Sequence, residues 1–167
     1  SDALGKIEKG SNNEVAWELS VMSGPRIMEG QEKAGILLDA TFDKFANWRK
    51  IYEKAECIGV ETINGNPCFK VVMTPKTGKP PTLYFDCETN LLVKVKSIIE
   101  HQMGDIPIEV FISDYIKVDS ILISKKSKVK VMNQERIITI DSIEHNAEIP
   151  KDIFTLPNEI YALVNGN

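Results

Sequence analysis

The chain is poor in the residues that reactive chemistry draws on. Its 167 residues hold only two histidines, three cysteines and two tryptophans. His101 and His145 stand far apart and neither opens a metal-ligand spacing, so each reads as a polar residue at a strand end and no metal site is spelled out. There is no nucleophile elbow, no phosphate-cradling glycine loop and no HExxH helix. Glu109 with Asp114, or Asp141 with Glu144, could be offered as carboxylate pairs, but acidic residues on the wet face of a sheet explain them better. The expectation is a protein with no catalytic residue and no cofactor. Positive charge is not in excess either: a net charge of −4 supplies no basic field for a phosphate backbone, which argues against nucleic acid as a partner. No apolar run approaches the roughly 20 residues that cross a bilayer, so no transmembrane segment is expected. The first residues also lack the basic and apolar regions of a signal peptide.

What is present fits one domain spanning 1–167. The chain is 43% apolar and 26% charged, and a chain of this length can bury about two-thirds of its unfolded surface. The organising stretch is residues 58–95, which reads as an antiparallel meander. Asn64-Gly65 is a dipeptide that tolerates positive φ at both turn positions, and it separates two strand-like runs. With those two residues as the turn, Val60 faces Phe69 and Ile58 faces Val71, while Cys57 lies opposite Val72. Thr77-Gly78, within TPKTGKPP, closes a second hairpin that sets Val71 across from Tyr84 and Cys68 across from Cys87. Glu88-Thr89-Asn90 then turns the chain into LLVKVKSIIE, and Asn90 is a residue that accepts the left-handed conformation.

On either side of the meander the reading is coarser. Residues 4–19 form a hairpin around Gly10-Ser11-Asn12-Asn13, with Trp17 in the second arm. Residues 29–40 form a helix, since Ala34, Leu37, Leu38 and Thr41 recur at helical spacing. Phe42, Phe45, Trp48 and Tyr52 continue that spacing, so the helix extends or a second short one follows. Strands are predicted over 106–115, 121–131 and 137–144. In the first of these Ile106, Ile108, Val110 and Ile112 share one face, while Glu109, Phe111 and Ser113 lie on the other. Pro107 argues for an edge or a bulge. The tail, with prolines flanking Phe154, reads as a clasp over the sheet. The total is about eight strands and one or two helices, a mainly β (α+β) fold built on a large curved antiparallel sheet.

The cysteines leave two readings open. Cys68 and Cys87 oppose one another in the register above, and opposed residues of a non-hydrogen-bonded pair come close enough for a disulfide, leaving Cys57 over. The alternative keeps all three reduced, as small and partly buried hydrophobes.

Several phrases in order, EVAWELSVMSGPRIMEGQEKAGILL, then ECIGVETINGNPCFKVVMTPKTGKPPTLYFDCETNLLVKV, then DYIKVDSILISKK and IPKDIFTLP, resemble the LolA-like superfamily of bacterial envelope proteins, the outer-membrane lipoprotein-sorting carriers. The resemblance covers nearly the whole chain and lacks the family's usual N-terminal portion, and the expectation is that the sequence is the C-terminal part of a longer precursor. It implies an unclosed half-barrel with helix packed on its concave face, a periplasmic or otherwise extracytoplasmic address, and a hydrophobic ligand such as a lipid or a lipoprotein acyl chain. No motif-specific binding residue carries over. The residues expected to enclose such a ligand follow from the pattern itself: Ile58, Val60, Phe69, Val71 and Tyr84 from the sheet, with Phe45, Trp48 and Tyr52 from the helical aromatic row. The alternative role is an interaction or sensor module that engages a partner by strand addition, and an unpaired edge would also permit a homodimer.

Overall fold

The structure, a computed structural model, describes residues 7–12, 14–41, 47–76, 78–99, 104–150 and 152–166. It comprises two compact units, Ser1–Ala46 with Ala147–Asn167, and Asn47–Asn146.

In the first unit β1 (Ile7–Ser11), β2 (Ala16–Ser20) and β3 (Gly24–Met28) form an antiparallel three-stranded sheet accompanied by α1 (Gly30–Ala40) and α2 (Asn158–Val164). The predicted hairpin is there. The Asn12 carboxamide oxygen accepts hydrogen bonds from the backbone N–H groups of Glu14 at 3.2 Å and Val15 at 2.9 Å, an Asx-type closure of the turn. Gly10 stands opposite Trp17, and a Cβ there would come within 2.6 Å of the indole, so only glycine lets that ring lie across β1. Lys9, Glu18 and Arg26 form one cross-strand row: Glu18 pairs with Lys9 at 2.8 Å and Arg26 at 3.2 Å, and Arg26 reaches Glu32 of α1 at 2.8 Å. The hydrogen bonds from Lys9 and then Arg26 hold the largely buried Glu18 carboxyl below its ordinary range. Ala16, Met28 and Ile160 are the buried apolar residues among the described residues of this unit.

The segment around Pro25, to which the sequence assigns no element, is a strand: Gly24 takes φ +71 and reverses the chain tightly enough to pair β3 with β2. The end of the tail is a helix. Pro157 stands at the cap position before α2, where its missing N–H costs nothing, and Ile160 is the residue that α2 buries.

In the second unit seven strands run in spatial order β10-β9-β8-β7-β6-β5-β4, each antiparallel to its neighbour. These are β4 (Tyr52–Ile63), β5 (Asn66–Pro75), β6 (Thr82–Asp86), β7 (Leu92–Ile99), β8 (Ile106–Val118), β9 (Ile121–Val131) and β10 (Gln134–Thr139). The fold is thus mainly β, an open sheet and not a closed barrel, with two α-helices and ten strands among the described residues where about eight strands were expected. Asn64 (φ 51) and Gly65 (φ 91) form the predicted two-residue turn and pair Ile63 with Asn66. Asn90 takes φ 59, and the Asp86 carboxylate holds its turn by accepting from the N–H groups of Glu88 at 3.1 Å and Thr89 at 2.8 Å.

Val60 faces Phe69 as expected, and the other register expectations are corrected. A bulge between Cys57 and Gly59 leaves Ile58 without a partner, so Cys57 rather than Ile58 faces Val71, and Glu56 takes the place opposite Val72. On the other side of β5 the pairing is Cys68 with Asp86, Lys70 with Tyr84 and Val71 with Leu83, one residue away from the predicted alignment. The long β5–β6 connection explains the slip. Pro80 and Pro81 have no N–H to donate to a ladder; beyond the Val72–Thr82 pair the Met73 N–H still donates to the Pro81 carbonyl at 3.0 Å, but the turn does not dictate the register. Thr77 lies outside the described residues. Pro107 belongs to an interior strand, but it sits one residue beyond the end of the β9 ladder and pairs only with Ile98 of β7. The predicted last strand lies earlier than expected, at Gln134–Thr139. Tyr52, expected at helical spacing, begins β4 after a 3-10 turn over Trp48–Lys50.

Candidate functional site

Because side chains alternate across a strand, the register sorts the seven-stranded sheet into two chemically different faces. On one face Val71, Leu83, Val95, Val110 and Val129 stand directly opposite one another across β5 to β9. One pleat away, Val60 faces Phe69 and Phe69 faces Phe85. Burial is uneven along this face: Leu83 is buried, whereas Val60 is 61% exposed and Phe69 38%.

The opposite face alternates cations with aromatics. Lys70, Tyr84, Lys94, Phe111 and Lys128 form one row across the same five strands, and Thr82, Lys96, Glu109, Lys130 and Glu135 form the next. The Lys94 ammonium lies 5.8 Å from the Tyr84 ring centroid and 4.6 Å from that of Phe111, while Lys70 is 5.9 Å from Tyr84 and Lys128 5.2 Å from Phe111. Tyr84 is wholly buried and Lys94 is 7% exposed. A buried ammonium demands a counter-charge, and Glu109 supplies it at 2.8 Å. The same carboxylate oxygen also meets Lys96 at 3.5 Å. The hydrogen bond from Lys94 therefore holds the Glu109 carboxyl below its ordinary range, against the opposing effect of burial. At the sheet's other side Glu61 receives Lys70 at 2.9 Å.

Clefts open on this unit among the described residues, and two of them are defined by their linings. The larger, about 520 Å³, is lined by Thr82, Lys96, Glu109 and Lys130 together with Ile98 and Pro107. The smaller, about 250 Å³, is bordered by Ile63, Cys68, Asp86 and Tyr115, whose hydroxyl donates to the Leu92 carbonyl at 2.7 Å.

Of the residues predicted from sequence to line a ligand site, Val60, Phe69 and Val71 do share one face. Tyr84 does not join them: it is opposite Lys70 and Lys94 on the charged face, the direct result of the one-residue register slip. Ile58 is the exposed residue of the bulge, and Tyr52 stands opposite Pro75 at the start of β4. Trp48 lies in the 3-10 turn with the Arg49 guanidinium 4.3 Å above its ring. Phe45 and His101 lie outside the described residues. His145 pairs with Asp119 at 3.0 Å. The three cysteines are free thiols, with Cys68 opposite Asp86 and Cys87 in the turn beyond it. What sequence reasoning passed over is the lysine face. Its signal was legible, since Lys94 and Lys96, and then Lys126, Lys128 and Lys130, recur at a period of two.

This fold has a solved counterpart. The chain is similar to the crystal structure of a DUF1329 family protein from Desulfovibrio piger, with a TM-score of 0.55 and 16% identity, over 89% of this chain and 67% of that one. At that identity the likeness establishes the fold alone. No protein-family model and no curated protein matches the sequence. Among the described residues, no helix is long and apolar enough to cross a membrane, and no group of three or more histidine, cysteine or acidic side chains is placed to hold a metal ion.

Proposed function

We propose that this chain is a non-catalytic binding or carrier protein of the bacterial envelope, extracytoplasmic, that holds a lipid, a lipoprotein acyl chain or another hydrophobic ligand against the apolar face of its seven-stranded sheet. The observation that carries this reading is the apolar row across β5 to β9 continued by the exposed pair Val60 and Phe69. Large apolar side chains left exposed together on one regular face mark a contact surface for an apolar partner. The resemblance of the sequence to LolA-like carriers points the same way. So does the solved DUF1329 neighbour, to the extent of offering a related open β scaffold. The test is mass spectrometry of lipid extracted from the purified protein. A defined acyl species at constant stoichiometry, lost from the Phe69→Glu variant, is the expected result; protein free of lipid in both forms overturns the reading.

A second role is favoured by one feature. β4 is a terminal strand of twelve residues, and its run 53–60 is exposed throughout. An edge of that length offers a template for strand addition by a partner protein or a second copy. Size-exclusion chromatography with light scattering separates this role from the first, since a Val60→Pro change on β4 dissociates an edge-paired assembly.

A further inference from the structure

We infer that the cleft on the charged face is a second binding site, which takes an acidic amphiphile by setting its carboxylate or phosphate head on Lys96 and Lys130 and its apolar tail against Ile98, Pro107 and Met132. The inference goes beyond the carrier reading and does not rest on it, because the cleft and the Val60–Phe69 surface belong to opposite faces of the sheet.

Two observations converge on this site. The first is charge. Lys94, Lys96, Lys128 and Lys130 occupy two adjacent cross-strand rows whose only acidic members are Glu109 and Glu135, in a chain whose net charge is −4. Lys94 and Lys96 share a single oxygen of Glu109, and Lys128 has no carboxylate partner among the described residues. Four cations held by two anions leave a positive surplus in a partly enclosed space, where a further anion is attracted more strongly than in open solvent. Lysine suits the role, since its ammonium is a compact point charge with three rotatable donors and does not require a planar partner.

The second observation is shape and composition. The cleft measures about 520 Å³, within the range of small-molecule sites, and its walls divide by polarity. Thr82, Lys96, Glu109 and Lys130 stand in one row across β6 to β9. Pro80, Ile98, Pro107 and Met132 supply apolar surface beside them. Ile98 and Pro107 face one another directly, which sets an apolar floor one pleat from the Lys96–Glu109 pair. A purely ionic ligand would leave that floor uncovered, and a purely apolar one would strip water from the lysines without return.

The experiment is isothermal titration of the full chain with decanoic acid, decyl phosphate, decanol and inorganic phosphate, in the wild type, in the double variant Lys96→Gln/Lys130→Gln, and in Ile98→Glu. The readout is the ratio of acid to alcohol affinity, which an apolar surface elsewhere on the sheet does not create. An acid bound about tenfold or more tightly than decanol in the wild type, with the ratio collapsing to near one in the double variant, is the expected outcome. Ile98→Glu, which places a carboxylate in the cleft at an exposed position, should abolish the preference in the same way. Equal affinity for acid and alcohol in the wild type, or a preference that survives both variants, overturns the site. Inorganic phosphate binding as tightly as decyl phosphate overturns the amphiphile and reduces the cleft to a simple anion site. Failure of the carrier reading looks different: decanol then does not bind at all, while the acid still does.

Discussion

Tyr84 and Lys94 face one another across β6 and β7, a buried lysine ammonium 5.8 Å from the centroid of a wholly buried phenol ring. Neither residue is at ease there alone. Tyr84 packs in a small apolar cluster with Ile63, Cys68, Val93 and Phe111, and Lys94 borders that cluster while its head reaches Glu109. This is how a sheet face with two aromatics in its centre remains a charged surface.

Removing the Tyr84 hydroxyl should help the isolated protein. An unpartnered buried hydroxyl carries a desolvation cost and returns nothing, so Tyr84→Phe is expected to raise the unfolding free energy by about 1 kcal/mol. Urea denaturation of the two proteins side by side measures this. A loss of stability in the variant would show that the oxygen has a partner within the fold.

The acid limb of stability should run through Glu109. Its folded carboxyl sits below the ordinary value, chiefly because of the hydrogen bond from Lys94. Such a group stabilises the fold fully above its unfolded pKa of about 4.3, and that contribution is lost as the pH falls through the lower folded value. Glu109→Gln should therefore narrow the difference between the urea midpoints at neutral and at acidic pH. Parallel profiles for variant and wild type would mean that the Lys94–Glu109 contact contributes nothing.

The parts of this fold that were legible in the sequence are those fixed by local chemistry. Asn64-Gly65 sets its own turn and so dictates that Val60 meets Phe69; Asn90 takes the left-handed conformation its turn requires; and the spacing of Ala34, Leu37 and Leu38 marks α1. Register beyond the first hairpin was not local. The proline-containing connection before Thr82 transmits no alignment, and a slip of a single residue carries Tyr84 from the apolar face to the charged one. The bulge at Ile58 was equally hidden, since alternation within a strand does not announce an extra residue, although Gly59 at φ +147 is the residue type such a distortion favours. As for the candidate site, the apolar surface could be read from alternation, whereas the cation–aromatic rows exist only once five strands are correctly aligned.

The cysteines should react in order of exposure. Cys57 is exposed, Cys87 half-buried and Cys68 fully buried, and burial pushes the Cys68 thiol up, away from its reactive thiolate form. Brief alkylation of native protein followed by peptide mapping should label Cys57 first and Cys68 only after unfolding. Recovery of a linked Cys68–Cys87 peptide under non-reducing conditions would instead require those strands to shift from the pairing of Cys68 with Asp86.

The apolar face makes the most direct prediction about function. A chain that buries itself against a surface of limited size gains roughly 0.8 kcal/mol for each methylene covered, until the surface is full. Titration with a homologous series of n-alkanols, whose uncharged heads give the lysine face nothing to select, should therefore show affinity climbing with length and then levelling off. Phe69→Glu places a carboxylate beside Val60 and Phe85 and should abolish binding at every length while the protein stays folded. Lys70→Gln, on the opposite side of the same strand, should leave the series unchanged. Affinity that rises without a plateau and ignores Phe69 would be partitioning onto a general surface, and the carrier role would give way to strand addition at the β4 edge.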